Sequence, residues 1–287
     1  MGVYKAAIFA VFLLEIEKLI RILVNEFSLE RPEGTRLHQL RAEQKPDADI
    51  LIINGFPNSE DCLLNDGDRV VMIKRGQIPD ANQLEALMVA RHTPGVHARI
   101  AQSRIGIAGA GGLGSNIAIS LARVGVGNLV IADFDLVEPS NLNRQQYFID
   151  QIGMPKVSAL KENLERINPY VKIEIFHGKI NRQNLLQIFT GVDVMVEAFD
   201  APEQKAMLTS THLQQSPGCP LVAASGMAGY APSNSIQTKK IRNGFYLVGD
   251  QTTAAEPGQG LMAPRVSIAA GHQANAVLRL LLGEQPE

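Results

Sequence analysis

The stretch RIGIAGAGGLG, residues 104–114, decides the fold of the larger part of this chain. It reads as a short apolar strand, a glycine-rich loop and the start of a helix. Without a Cβ, the loop backbone can approach a phosphate, and the helix N-terminus adds free N–H groups and positive potential. Asp133 ends the next expected strand, 24 residues after Gly109, close to the spacing of a ribose-binding carboxylate. We therefore expect an adenosine nucleotide at this loop. Its glycines are Gly109, Gly111, Gly112 and Gly114.

Strand-like and helix-like segments alternate regularly from residue 104 onward. The strands are apolar almost throughout, as parallel strands covered on both faces must be. Asn243-Gly244 separates two later strand-like runs and predicts a hairpin antiparallel to the rest. The pattern predicts an α/β fold with a doubly wound, mostly parallel, Rossmann-like sheet and a late antiparallel hairpin. The expected parallel strands are 104–109, 128–135, 171–177, 193–200 and 220–225, and the expected helices are 115–125, 156–168, 182–190, 202–215 and 264–283.

A smaller β-rich region precedes this sheet. Residues 20–35 read as strand, turn and strand, a helical segment follows at 36–44, and two more apolar runs occupy 48–57 and 68–76. Such a ββαββ unit of fewer than 60 residues buries little core and is expected to lean on its neighbour. The expected division is an N-terminal extension at 1–19, a small β domain at 20–79, a helical linker at 80–103 and a nucleotide-binding domain at 104–287.

Composition argues against several classes of protein. The net charge of −2 offers no bulk attraction for nucleic acid or an anionic membrane. Cys62 and Cys219 are far apart and form no CxxC pair, so neither a zinc site nor a disulfide framework is indicated. The apolar run at 6–14 is well short of the ~20 residues that span a bilayer, and Glu15–Lys18 does not resemble a signal cleavage site. We expect a cytoplasmic protein without zinc.

A polar and cationic segment follows Asp133. Lys156 falls in the first turn of an expected helix, where a cation opposes the helix dipole unless an anion lies nearby. Arg144 offers a planar fork suited to phosphate oxygens, and Asn141 and Gln145 can donate and accept without adding charge. Helix N–H groups alone can bind the pyrophosphate of a dinucleotide. Two further cations, Arg144 and Lys156, suggest a triphosphate whose charge must be offset while a nucleophile attacks one of its phosphates. The alternative is an ordinary solvated surface loop.

Asp200 ends the expected strand 193–200, just before Pro202 opens a helix. Ligands of open parallel sheets bind at the carboxyl ends of the strands. A carboxylate facing phosphates would be repelled unless a cation came between them, so we assign Asp200 to Mg²⁺. The alternative role for Asp200 is an N-cap of the following helix.

Together these residues resemble the ATP-dependent adenylyltransferases that activate sulfur-carrier and ubiquitin-like proteins, the ThiF/MoeB group. The resemblance extends over 104–283 and rests on GAGGLGSN, DFDLVEPSNLNRQQYF, GMPK and EAFDAPEQK. It implies that Mg·ATP and the C-terminal Gly-Gly carboxylate of a carrier protein form an acyl-adenylate with release of pyrophosphate. It also implies a homodimer. The residues it implies are Asp133 on ribose, Asn141, Arg144 and Lys156 on phosphates, Asp200 on magnesium, and Asp135 and Gln145 with the four glycines in the ATP site.

The small N-terminal region resembles the carrier itself, a ThiS-type β-grasp domain with a ubiquitin-like fold. A working carrier ends in Gly-Gly with a free carboxylate, whereas this chain continues from Lys74-Arg75-Gly76 into Gln77. We therefore expect a docking or structural module in place of a substrate in cis. The fused arrangement is similar to a thiamine-biosynthesis ThiF variant.

Some positions depart from the family pattern. Family members use an arginine that reaches a partner subunit's site, and Arg91 is the nearest candidate here. The CxxC pairs that bind zinc in many members are missing. Cys219 does not match the cysteine that some relatives use, so we expect a structural thiol and catalysis without an enzyme thiol. Gly226, Gly229 and Tyr230 form a small-residue loop that could admit a Gly-Gly tail or be a plain turn.

Three other functions are compatible with the same sequence. An NAD-dependent oxidoreductase would use the same fold and bind NAD more tightly than ATP. A related enzyme could adenylate a tRNA-borne or small-molecule carboxylate. A non-enzymatic chain would use the β-grasp domain as its working part, with the large domain as a nucleotide-sensing scaffold.

Overall fold

The computed structural model describes residues 18–92, 95–256 and 259–287. The described chain divides into two compact units, which meet in sequence between Arg91 and His92. The apolar run at 6–14 lies outside the described residues. No helix in the described ranges is long and apolar enough to cross a membrane.

The first unit is a five-stranded sheet with one helix packed on it. The strand order is β2-β1-β5-β3-β4, and the central strands β1 and β5 pair in parallel. The core lies between sheet and helix, where Ile22, Leu37 and Leu40 are fully buried. The elements are β1 Leu19–Val24, β2 Phe27–Pro32, α1 Leu37–Gln44, β3 Ile50–Ile53, β4 Phe56–Pro57, β5 Arg69–Ile73 and α2 Ala81–Val89.

Two local features of this unit follow directly from its sequence. Asn25 and Glu26 form a two-residue hairpin loop, and both have positive φ, as a type I′ turn requires. After β5 the backbone turns at Gly76, with φ of +73°, and continues through Gln77 toward α2. The small β-grasp unit expected from the sequence is confirmed.

The second unit is built on a seven-stranded sheet. Its order is β11-β12-β10-β9-β6-β7-β8, and every neighbouring pair except β11–β12 is parallel. The strand order reverses between β6 and β9, the switch point of a doubly wound sheet. The strands are β6 Arg104–Ala108, β7 Asn128–Asp133, β8 Lys172–His177, β9 Val194–Glu197, β10 Leu221–Ala224, β11 Gln237–Arg242 and β12 Phe245–Gly249.

Helices cover both faces of this sheet, each over its own apolar core. One core contains Ile107, Ile131 and Leu160, and the other contains Val130, Met195 and Leu208. Helices α4, α5 and α8 contribute to the first core and α6 and α7 to the second. The helices are α3 Val96–Ala101, α4 Gly112–Arg123, α5 Lys156–Ile167, α6 Leu185–Ile188, α7 Pro202–Gln215 and α8 Ala263–Leu281.

The late hairpin differs in one respect from the expectation. Asn243 and Gly244 do join β11 to β12 in a two-residue loop. However, β12 runs parallel to β10, so only β11 at the edge is antiparallel to the rest. The chain passes over from β10 through the turn at Ser233–Ser235 and enters the sheet at its outer strand before returning inward. The α/β fold with a mostly parallel sheet is confirmed.

Candidate functional site

A cavity of about 610 Å³ opens at the carboxyl edge of the seven-stranded sheet. It lies where β6, β7, β8, β9 and β10 end, because parallel neighbours bring their carboxyl ends to one edge. The loops that follow these strands supply the wall of the cavity. Nine of the site residues predicted from the sequence line this cavity: Gly109, Gly111, Gly112, Asp133, Asp135, Arg144, Gln145, Lys156 and Asp200.

The glycine-rich loop connects β6 to α4 in a conformation that needs glycine at two points. Gly109 has φ of +101°, and a Cβ there would press on the carbonyl of Ala198. Gly114 does not line the cavity; a Cβ on it would overlap the carbonyl oxygen of Gly109. At Gly111, by contrast, the nearest atom to an added Cβ is 3.9 Å away, so the loop surface there is open toward the cavity. This is the close backbone approach that a phosphate site requires.

Asp133 is held in place by backbone donors. Its Oδ2 accepts a 2.6 Å hydrogen bond from the Ala110 N–H, and its Oδ1 accepts one of 2.8 Å from the Asp135 N–H. The side chain is buried but still lines the cavity. Each carboxylate oxygen can accept a further bond, so the group is oriented to receive two neighbouring hydroxyls.

Tyr147, which the sequence analysis did not single out, fixes the same loop from behind. Its hydroxyl donates a 2.6 Å hydrogen bond to the Ala110 carbonyl. Burial, with Asp133 and Asp135 nearby, raises the pKa of this phenol well above its usual value. The tyrosine therefore remains a neutral donor, and both polar groups of the Ala110 peptide are satisfied.

Arg144 and Gln145 are presented by the short helical turn Pro139–Asn141. Asn141 is buried, and its carbonyl accepts the backbone N–H groups of Arg144 and Gln145 at 3.1 and 2.9 Å. Its Oδ1 accepts the Glu138 N–H at 3.0 Å. The structure thus places Asn141 behind the wall, where it shapes the turn that carries Arg144 and Gln145.

The polar wall is not fully satisfied by the protein's own hydrogen bonds. Arg144 Nη1 donates to the Ser140 carbonyl and to Asn143 Oδ1 at 3.1 and 2.8 Å. Within the described part of the chain, the buried Arg144 Nε and Gln145 Oε1 find no partner. Because buried polar groups are rarely left unpaired in the absence of a function, this wall fits a polar ligand.

Lys156 begins α5, and its ammonium is paired inside the protein. Its Nζ lies 2.7 Å from Oδ2 of Asp135, and the lysine side chain is 8% exposed whereas the aspartate is 45% exposed. The anion that relieves the unfavourable position against the helix dipole is therefore Asp135. The pair still lines the cavity.

Asp200 lies between β9 and α7 and faces the cavity from its carboxyl edge. The N-cap of α7 is Ala201, with no side-chain capping bond, so Asp200 does not occupy the alternative N-cap position. No group of three or more His, Cys, Asp or Glu side chains that could hold a metal occurs within residues 18–92, 95–256 and 259–287. A magnesium ion at Asp200 would therefore depend on oxygens of a bound phosphate and of water.

A second buried ion pair lies under this edge. Glu197, the last residue of β9, is 1% exposed, and both of its carboxylate oxygens accept from Lys205 Nζ at 3.0 and 3.1 Å. Burial raises the pKa of Glu197, against the opposing effect of Lys205. The sequence signal for this pair is the carboxylate that ends the otherwise apolar strand VMVE, residues 194–197, and it was not among the predicted site residues.

Arg265 and Asp250 form an ion pair that links the segments of the opposite wall. Neither residue was among those predicted from the sequence. Arg265 donates to the carbonyls of Ala231 and Pro232 and forms an ion pair with Asp250. Burial alone would raise the pKa of Asp250, but bonds from Thr253 and Thr252 N–H groups and from Arg265 hold it below its usual range. Gly226, Met227 and Ala228 line the cavity beside this network, whereas Tyr230 is exposed beyond it.

Sequence comparison assigns each unit to a family. Residues 84–287 match the ThiF family and residues 20–76 match the ThiS-like ubiquitin family. This chain therefore belongs to the ThiF family and carries an N-terminal ThiS-like ubiquitin domain.

Several curated relatives align with the chain. A molybdopterin-synthase adenylyltransferase of Haemophilus influenzae is 39% identical over 111 residues, 38% of this chain and 46% of that protein. A SAMP-activating enzyme E1 of Haloferax volcanii is 38% identical over 128 residues, 42% of this chain and 47% of that protein. The adenylyltransferase and sulfurtransferase UBA4 of Saccharomyces cerevisiae is 27% identical over 204 residues, 68% of this chain and 46% of that protein. The chain thus spans about half the length of the curated relatives it matches.

Solved structures share the fold. The E. coli tRNA N6-threonylcarbamoyladenosine dehydratase TcdA in complex with ATP matches with a TM-score of 0.61 at 23% identity, over 72% of this chain and 97% of that one. E. coli MccB with ATP matches with a TM-score of 0.53 at 21% identity, over 72% of this chain and 61% of that one.

Proposed function

We propose that this chain is an ATP-dependent adenylyltransferase that activates the C-terminal glycine carboxylate of a ThiS-like sulfur-carrier protein. The observation that carries the proposal is that the glycine-rich loop, Asp133, Arg144, Lys156 and Asp200 line one and the same cavity. Membership of the ThiF family and relatives named adenylyltransferases support it. We further propose thiamine biosynthesis as the pathway, because the fused ThiS-like domain is of the type found there.

The nucleotide would lie along the line from Asp133 to Asp200. Asp133 accepts hydrogen bonds from the ribose hydroxyls, and the backbone N–H groups of the loop at Gly111 donate hydrogen bonds to phosphate oxygens. Arg144 and Lys156 offset the charge that builds up on the triphosphate, with Gln145 beside them. Asn141 contributes by shaping the turn under Arg144, and Asp135 by holding Lys156.

The proposed reaction needs no general base. A carboxylate oxygen of the carrier's last glycine, already ionised near pH 7, attacks the α-phosphorus of ATP. A new C–O–P linkage forms, the bond to the bridging oxygen of pyrophosphate breaks, and pyrophosphate leaves with its electron pair. Catalysis is then positioning and stabilisation of charge. A magnesium ion held by Asp200 would supply further neutralisation of phosphate charge when bound.

We place the carrier's tail along the loop Gly226–Ala228, where small residues line the cavity. The ThiS-like unit of this chain is proposed to serve as a docking or structural module, since Gly76 continues into Gln77. We also propose a homodimer in which Arg91 completes the partner's site.

The test is exchange of labelled pyrophosphate into ATP, with and without a ThiS-like protein ending in Gly-Gly. We expect exchange that requires the carrier and is lost when the final glycine is removed from it. A carrier of molybdopterin synthesis, run in parallel, tests the pathway assignment. Exchange driven by a tRNA or small carboxylate, or tighter binding of NAD than of ATP, would instead support one of the other functions considered for this sequence.

A further inference from the structure

The carboxylate of Glu197 is the centre of a hydrogen-bonded cluster directly beneath the cavity edge. Oε1 accepts the Phe199 N–H at 2.7 Å, and both oxygens accept from Lys205 Nζ. Oε2 lies 3.4 Å from the Ala224 nitrogen, and Lys205 Nζ donates to the Ala224 carbonyl at 3.0 Å. This cluster joins the ends of β9 and β10 to α7.

Glu197 holds residues that lie on both sides of Asp200 in the sequence. On one side, Phe199 immediately precedes Asp200, and its N–H is held by Glu197. On the other side, α7 begins at Pro202, and Lys205 in its first turns is held by the same carboxylate. The exposed Asp200 therefore projects from a short segment whose two flanks are anchored to one buried group.

Lys205 has little capacity left for a ligand. Its ammonium has three donors, and its hydrogen-bond partners are the two oxygens of Glu197 and the Ala224 carbonyl. It lines the cavity, but its bonds run into the protein. Lys205 therefore contributes by holding the Glu197 carboxylate and the end of β10 in place.

We propose that the Glu197–Lys205 ion pair is the positioning element for Asp200 and thereby sets how the site receives metal-bound ATP. The inference rests on the proposed function, in which Asp200 meets the metal. A side chain on an unanchored turn samples many orientations, and misplacement of a binding group by about 1 Å can cost orders of magnitude. Glu197 is buried outside the cavity lining, and the hydrogen bonds of Lys205 run to Glu197 and Ala224, so each acts as a positioning residue.

The experiment measures binding of ATP by calorimetry, once with Mg²⁺ and once with EDTA. We expect Lys205→Met to weaken binding of Mg·ATP by at least about tenfold while metal-free ATP weakens by less than about threefold. Lys205→Arg, which keeps a donor cation, should restore most of the preference for Mg·ATP. In an Asp200→Asn background, Lys205→Met should cause no further loss specific to Mg²⁺.

Two controls separate this effect from general damage. Arg104→Met breaks an ion pair with Glu174 near the start of β6, away from the cavity, and should leave both affinities unchanged. The double variant Glu197→Gln with Lys205→Met leaves no unpaired buried charge, so it folds if the single variant does not, and it should show the same selective loss.

The outcomes distinguish the inference from the proposed function. If the wild-type protein binds ATP equally with and without Mg²⁺, the assignment of Asp200 to Mg²⁺ is wrong, and this inference is overturned as well. If the wild type prefers Mg·ATP and both Lys205→Met and the double variant keep that preference, the inference alone is overturned. Equal weakening of both forms of ATP would also overturn it, because that is the result of a purely structural pair.

Discussion

Lys156 Nζ lies 2.7 Å from Asp135 Oδ2 at the edge of the cavity. The lysine is almost fully buried and the aspartate is half exposed. The ammonium is therefore held at one point without a ligand, and little side-chain entropy is left for it to lose on binding one. An anchored cation is a better complement to a transition state than a free one.

Loss of either cation should slow adenylation. We expect Lys156→Ala and Arg144→Ala each to remove charge-assisted bonds worth about 1.5–3 kcal/mol, which is about ten- to more than a hundredfold in rate. Lys156→Ala also leaves Asp135 facing the phosphates, so Asp135→Asn should be the milder change. Carrier-dependent pyrophosphate exchange measures all three. Unchanged turnover in both alanine variants would remove these cations from the site.

Cys219 should be dispensable for adenylation. Burial, with a smaller effect of Asp193, raises the pKa of its thiol to about 11, so little thiolate is present at pH 7. Its Sγ donates to the Val192 carbonyl at 3.3 Å, away from the cavity. We expect Cys219→Ser to keep the exchange rate and the native Cys219 to react slowly with iodoacetamide. Rapid alkylation with loss of activity would show that the thiol takes part.

Glycine replacements should have opposite effects at two positions. Gly114→Ala places a Cβ onto the Gly109 carbonyl, so we expect a loss of about 2 kcal/mol or more of stability and weaker ATP binding. Gly271 lies inside α8 with open space around its Cα, so Gly271→Ala should stabilise by about 0.5–1 kcal/mol. Urea denaturation measures both. Equal effects of the two changes would contradict the close approach of the loop and α4.

The Arg104–Glu174 pair should give a pH-dependent stability. Hydrogen bonds from Arg104 and then Lys172 lower the pKa of Glu174 to about 2, from an ordinary 4.5. Because the folded state holds this proton less tightly, the stabilisation is complete above about pH 4.5 and is lost as the pH falls toward 2. Glu174 is 36% exposed, so screening limits the contribution to about 1 kcal/mol.

Glu174→Gln tests this pair. At pH 7 the variant should unfold at lower urea than the wild type, and the difference should shrink as the pH drops below 4.5. Glu165→Gln, which removes an exposed pair with Lys161, is the matched control and should shift the midpoint less. A difference that stays constant from pH 7 to 3 would mean that the ion pair does not contribute.

Much of this fold was predictable because its signals are local. The run 104–114 and the buried strands after it specify strand, loop and helix without knowledge of distant contacts. The direction of β12 was not predictable in this way, since a two-residue turn fixes its relation to β11 but not to β10. The register of a hairpin is local, whereas its insertion into a sheet is a tertiary property.

The site was predictable at the level of residue types and less so at the level of partners. Asp133 and Asp200 were identified at the ends of expected strands, Lys156 at the start of an expected helix, and Arg144 in the polar segment that follows Asp133. The partner of Lys156 is 21 residues away in sequence, and the partner of Arg265 is 15 away across a loop. Pairing at such separations depends on the folded chain, so the sequence pattern alone could not assign it.

The carboxyl group of Gly76 is taken up in the peptide bond to Gln77. A peptide carbonyl has no ionised oxygen that could attack phosphorus. Gly76 of the chain's own ThiS-like unit therefore cannot be the nucleophile of the proposed reaction. The rate of the proposed reaction must then depend on a separate carrier molecule: it rises in proportion to the carrier concentration when that is low, and it levels off when the carrier is in excess.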